Sequence, residues 1–146
     1  MSNKLFLLAI SLIVSMAQTS CNSDDDANGD DPNAECGETI CTAIFIRINV
    51  SLTDQDQNPV ALDSFTVTNL QNGEDMTVTL TPEELVGAKE TGLYPLTQDG
   101  SIGLNQEREI QFKGFINNQE VISSDYSVST DCCHIGLDSG ELELTL

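Results

Sequence analysis

The chain predicts an all-β domain, a single antiparallel β-sandwich of seven to eight strands, placed behind an export signal and an acidic tether. Three observations carry that expectation. From Cys41 onward apolar residues recur with a period of two, Gly, Asn and Asp clusters interrupt them at short intervals, and no long stretch has helical spacing. A length of 146 residues with 39% apolar content suffices for one modest core and no second domain.

The elements follow in order. Ile44, Ile46, Ile48, Val50 and Leu52 alternate with Phe45, Arg47, Asn49 and Ser51, which reads as a long strand with one buried face. Asp54-Gln55-Asp56-Gln57-Asn58-Pro59 ends it as a turn. Phe65 and Val67, then Met76, Val78 and Leu80, repeat the alternation on either side of Gln71-Asn72-Gly73, as a hairpin would. One helical turn is expected at Thr81-Pro82-Glu83-Glu84-Leu85, with Thr81 as cap, Pro82 first in the helix, Glu84 closing a capping box and Gly87 as the stop. Later strands are expected over Gly92 to Leu96, around Ile110, Phe112 and Ile116, at Val121 and Ile122 after an Asn117-Asn118 turn, at Tyr126 to Val128, and at Leu142, Leu144 and Leu146.

The N-terminus has a different character. A polar start with Lys4 precedes Leu5 to Ala17, a run that is apolar except for Ser11 and Ser15, and small or polar residues lead from there to Cys21. Crossing roughly 30 Å of hydrocarbon takes about 20 helical residues, so this run is a signal peptide over residues 1–20 rather than a membrane span. Cys21 directly after Ala17-Gln18-Thr19-Ser20 resembles the lipobox of bacterial lipoproteins, in which that Cys is acylated and becomes the mature N-terminus. Asn22-Ser23-Asp24-Asp25-Asp26 resembles the acidic stretch behind the lipid Cys in surface lipoproteins of the Bacteroidetes. That resemblance implies membrane attachment through Cys21 and display on the outer face of the outer membrane.

Residues 21–38 read as the tether, because Asn22 to Glu38 holds seven acids, no base and no large apolar residue, too little to bury against chain entropy. Within it Asp24, Asp26, Asn28, Gly29 and Glu35 fit the calcium-loop spacing, with the Asp30 carbonyl as a further oxygen. Asp31 stands where such loops carry an apolar residue, Pro32 follows, and no amphipathic helix flanks the stretch. A solvated charge run is the preferred reading, and calcium binding the alternative.

Residues 39–146 form the expected globular part. Val50-Ser-Leu-Thr-Asp-Gln-Asp-Gln-Asn-Pro-Val60 resembles the first hairpin of carboxypeptidase regulatory-like and transthyretin-like domains, and Asp131-Cys132-Cys133-His134-Ile135 with Gly140 resembles the ending of some Bacteroidetes lipoproteins of that type. The resemblance implies a transthyretin-like sandwich acting as an accessory or adhesive module; an immunoglobulin-like topology is the alternative.

The cysteines beyond Cys21 are Cys36, Cys41, Cys132 and Cys133, an even set that in an exported chain reads as two disulfides. Joining the adjacent pair would need a strained ring, which leaves two crossed pairings. Strand alternation puts Cys132 on the side of Tyr126 and Val128 with Cys133 opposite, and Cys41 lies out of phase with Ile44 and Ile46, favouring Cys41 with Cys133 and Cys36 with Cys132. The competing reading is zinc held by Cys36, Cys41, one of the adjacent cysteines and His134, disfavoured by the spacing and by oxidation. Cys133 and His134 as strand neighbours project apart and make no catalytic dyad. His134 is expected beside the disulfides in a structural role.

Composition also narrows function. With 24 acids against 5 bases the net charge is −19, which excludes nucleic acid as a partner, since counterion release needs Lys and Arg. No G-x-S-x-G, H-E-x-x-H, P-loop or dinucleotide fingerprint occurs, and no cofactor is implied. The expectation is a non-enzymatic envelope module, with a basic protein partner preferred to a glycan because Trp is absent and aromatic residues are scarce. A metal-binding protein is the alternative.

Overall fold

The computed structural model describes residues 36–146; Cys21 and the calcium-pattern residues Asp24, Asp26, Asn28 and Glu35 lie outside them. Among the described residues are β1 (Arg47–Thr53), β2 (Ser64–Asn69), α1 (Pro82–Thr91), β3 (Leu93–Gln98), β4 (Glu107–Ile116), β5 (Gln119–Thr130), β6 (Ile135–Ser139) and β7 (Glu143–Thr145). They form two sheets, one ordered β3-β1-β7 and one β2-β4-β5-β6. Val50, Leu52, Tyr94 and Leu96 from the first sheet share one core with Phe65, Val67, Ile110, Phe112, Tyr126 and Val128 from the second, consistent with an all-β sandwich.

One pairing departs from an all-antiparallel arrangement: β7 runs parallel to β1, with Ser51 opposite Glu143 and Thr53 opposite Thr145. The chain reaches β7 from β6, which belongs to the other sheet, so no tight hairpin fixes its direction. Gly140 makes that crossing possible. Its φ of 115° is open to glycine, and a Cβ there would collide with the Tyr126 ring, whose hydroxyl donates to the Glu141 carbonyl at 2.8 Å.

The alternation of the first strand holds from Ile46 to Leu52, but pairing starts only at Arg47, and Ile44 is exposed rather than buried. Residues before Arg47 are held by other contacts, described below. The strand expected at Met76, Val78 and Leu80 does not form. The Met76 N–H still donates to the Val67 carbonyl, but the Val67 N–H goes to the Thr77 hydroxyl at 2.9 Å, so a side chain replaces the next ladder acceptor. Asp75 fixes that hydroxyl and the Thr77 N–H, and pairing stops at a single bridge between Thr68 and Asp75.

The helix begins as expected, with the Thr81 hydroxyl accepting from the Glu84 N–H and the Glu84 carboxylate from the Thr81 N–H. It runs through Gly87 to Thr91. An interior glycine costs about 1 kcal/mol but leaves the hydrogen-bond ladder possible. The stop is Gly92, left-handed at φ 70° and donating to the Ala88 carbonyl at 2.8 Å. The two strands expected at Val121–Ile122 and Tyr126–Val128 are one twelve-residue strand, β5. Ser123 and Asp125 of its polar centre lie on the outer face of the pairing with β4, which shifts register once near Val121, and Gln111 donates to Asp125 at 2.7 Å. Asn117 and Asn118, at φ 52° and 60°, supply the two left-handed residues a tight hairpin needs.

The sheets are joined through Tyr94. Its ring lies 5.7 Å from Phe65, which stacks on Phe112 at 5.8 Å. Its buried hydroxyl accepts from the Leu62 N–H at 2.7 Å and donates to the Val60 carbonyl at 3.0 Å. Removing that oxygen orphans a donor and an acceptor together. Tyr94→Phe is expected to cost about 1–3 kcal/mol in urea unfolding with an unchanged slope.

Candidate functional site

The described residues are most densely cross-linked where the N-terminal chain meets the body. Cys36 is bonded to Cys132 and Cys41 to Cys133, with Cα–Cα distances of 5.3 Å in both. This is the pairing favoured from the sequence, but strand phase is not its cause. Cys41 precedes β1, and Cys132 and Cys133 lie in the turn between β5 and β6. Two adjacent cysteines in a turn meet two positions five residues apart on a neighbouring segment.

The turn itself is shaped by Asp131, whose Oδ1 accepts the N–H groups of Cys133 at 2.6 Å and His134 at 2.7 Å, while its own N–H donates to the His134 carbonyl. The donors from His134 and Cys133 hold the Asp131 carboxyl below its ordinary range. Asp99, just past β3, joins this turn to the incoming chain. Its Oδ1 accepts from the Ile135 N–H at 2.8 Å, and its Oδ2 from the Ile46 N–H at 2.8 Å with His134 Nδ1 at 2.9 Å. Burial opposes ionisation of Asp99, but the Ile46 amide, the imidazole and the Ile135 amide outweigh it and hold its carboxyl low.

His134 Nε2 lies 3.0 Å from the Thr42 hydroxyl. Thr42, His134 and Asp99 therefore stand in the order hydroxyl, imidazole, carboxylate, a line that can pass polarisation from the carboxylate to the hydroxyl. Both Asp99 oxygens also bind backbone amides on separate segments, so the line locks the 42–46 segment, the 131–135 turn and the end of β3 together. His134 has the expected place beside the disulfides. Cys36, Cys41, Cys132 and Cys133, the cysteines that the zinc alternative draws on, are paired as two disulfides here and offer no thiolate in that form. Cys133 is likewise no nucleophile. Thr42 and Asp99 were not legible as site residues, since Asp99 is one of 24 acids and its partners are 35 or more positions away in either direction.

A second feature is a groove of about 520 Å³ over β1 and β7, lined by Ser51, Thr53, Asp54, Gln55, Gln57, Glu141, Glu143 and Thr145. Three of these are acids and none is a base. The groove lies at the C-terminal end of β1, whereas the Asp99 lock holds Ile46 at its N-terminal end, about 20 Å away at roughly 3.3 Å per strand residue.

Because the first disulfide closes a long loop and the second then closes only a small ring, their contributions should not add. Replacing either pair by Ala is expected to cost about 2–3 kcal/mol and replacing both about 7 kcal/mol in the chain-entropy picture, read by urea unfolding of the three variants. The depressed Asp99 and Asp131 carboxyls place their stabilisation above the ordinary carboxylate range, to be lost as pH falls through it. The melting temperature should hold steady above about pH 5 and fall below about pH 4. Asp99→Asn should lower the plateau by about 5 °C and reduce the acid-side slope. No family model, curated protein or solved structure matches this chain.

Proposed function

We propose that this chain is a lipid-anchored, non-enzymatic envelope module, a transthyretin-like β-sandwich held at the cell surface through Cys21 that binds another envelope protein. The observation that carries the reading is where the cross-links sit. The two disulfides and the Asp99 lock grip Cys36 at the end of the tether and Cys41 and Ile46 just beyond it, so a pull on an anchored N-terminus is borne by covalent bonds rather than by strand pairing.

Strand order favours the transthyretin-like over the immunoglobulin-like alternative. In an immunoglobulin sandwich the first strand borders the second at a sheet edge, whereas here β1 is central between β3 and β7 and β2 belongs to the other sheet. The acidic β1–β7 groove supports a basic partner, and its position at the far end of β1 from the tether supports presentation away from the membrane. Such an encounter is steered by charge and weakens as salt screens it beyond about 8–10 Å.

The test is a pull-down from envelope extract with the mature chain, at low and high salt, with and without EDTA, beside detergent phase partitioning of wild type and Cys21→Ser. Expected are loss of detergent partitioning in Cys21→Ser and a partner captured at low salt that Glu141→Lys with Glu143→Lys releases. Unchanged partitioning of Cys21→Ser would sink the anchor. No capture, together with a calcium-dependent rise in melting temperature abolished by Glu35→Ala, would replace this reading with calcium binding by Asp24, Asp26, Asn28 and Glu35.

A further inference from the structure

Six large apolar side chains are strongly exposed among the described residues, and three of them, Ile40, Ile44 and Phe45, fall within six consecutive positions. Isolated exposed apolar residues need no explanation, but a concentration of them does. Ile40 is 95% exposed, Ile44 62% and Phe45 61%. The surrounding stretch, Thr39 to Ile46, contains no charged residue, in a chain where one residue in five is charged. In a molecule of net charge −19 this is a neutral, apolar strip.

The strip is held in place. Cys41 is bonded to Cys133, Thr42 meets His134, and the Ile46 N–H is fixed by Asp99, so its exposed side chains are displayed on a fastened segment. A preorganised apolar surface loses little entropy on burial. Its place in the chain indicates what covers it. Ile40 lies four positions after Cys36, and Cys36 lies fifteen positions after Cys21, a span of at most about 50 Å when fully extended. Whatever holds Cys21 is within reach of the strip.

We propose that Ile40, Ile44 and Phe45 seat in the interfacial region of the bilayer that carries the Cys21 lipid, so that the domain rests on the membrane through the clasped segment and does not hang free on its tether. This rests on the lipid-anchor reading. Apolar side chains enter the boundary between headgroups and acyl chains, and the lack of charge from Thr39 to Ile46 removes the desolvation cost that the rest of this acidic surface would meet. Seating this end leaves the β1–β7 groove at the opposite end of the strand pointing outward.

The chain has no Trp, so a single introduced Trp is a unique reporter. Phe45→Trp, and as reference Leu93→Trp, an exposed position that pairs with Ser51 at the groove end of β1, are produced as mature lipidated protein and reconstituted in phosphatidylcholine vesicles with ordinary or brominated acyl chains. Mass spectrometry establishes the acyl group on Cys21 and both disulfides in each preparation. Bromine is expected to quench the Phe45→Trp emission several-fold more than the Leu93→Trp emission, and Ile40→Ser with Ile44→Ser to reduce that quenching. Equal quenching at the two positions with the acyl group present would overturn the membrane seat alone. A blue-shifted Phe45→Trp emission that bromine leaves unquenched would assign the strip to a protein, a second copy included, and also overturn it. Absence of acyl on Cys21 would overturn the anchor and this inference together.

Discussion

Two covalent bonds set within one short turn govern how this molecule is put together. Cys132 and Cys133 are neighbours, and both reach the same N-terminal segment, at Cys36 and Cys41. The first bond formed removes the entropy of a loop of more than 90 residues from the unfolded chain, worth up to about 4.7 kcal/mol in the loop-closure model. A chain with so few aromatic residues and a charge of −19 has a small core working against its own repulsion, so that contribution is a substantial part of a domain's usual stability of about 5–15 kcal/mol. The second bond adds less to stability. It removes rotation about the first and turns a hinge into a fixed segment.

Orientation of that segment then passes from sulfur to oxygen. Asp99 sits where the entering chain, the end of β3 and the start of β6 converge, and its two oxygens serve three donors from two other segments. At this point the carboxylate takes the Ile46 N–H in place of a backbone carbonyl, while the Asp99 N–H still donates to the Ile46 carbonyl at 2.9 Å. Pairing of β1 begins one residue later, at Arg47, so the register of the central strand is set beside a polar lock. Along β1 the burial rises from half-buried Ile48 to fully buried Val50 and Leu52, which carry the strand into the core beneath Tyr94.

The same strand separates two kinds of surface. Its N-terminal end is attached to a neutral apolar strip, and its C-terminal end opens into a groove edged by Asp54, Glu141 and Glu143. A body with a neutral apolar strip at one end and an acidic groove at the other is polarised along β1. Between the ends, the Tyr94 ring tilts against Phe65, which in turn stacks on Phe112, and this contact keeps the two sheets together.

The β class, most strand positions, the capping box at Thr81 and Glu84, the Asn117-Asn118 turn and the oxidised state of four cysteines are legible in the amino-acid order, because each depends on residues close in the chain or on simple period and parity. The disulfide partners favoured by strand phase are the ones formed, although a shared turn, and not strand phase, brings them together. The folded arrangement alone sets which strand lies beside which, including the parallel β1–β7 pair, since strand direction across two sheets follows from packing and not from any local signal. It also decided that Ile44 stays outside and that Met76 to Leu80 fails to pair, where a disulfide and the Thr77 hydroxyl outcompete an alternating pattern. The Thr42–His134–Asp99 line was beyond sequence reading for the same reason: its residues are brought together by distant contacts, and an aspartate among so many others carries no mark of the amides it will bind.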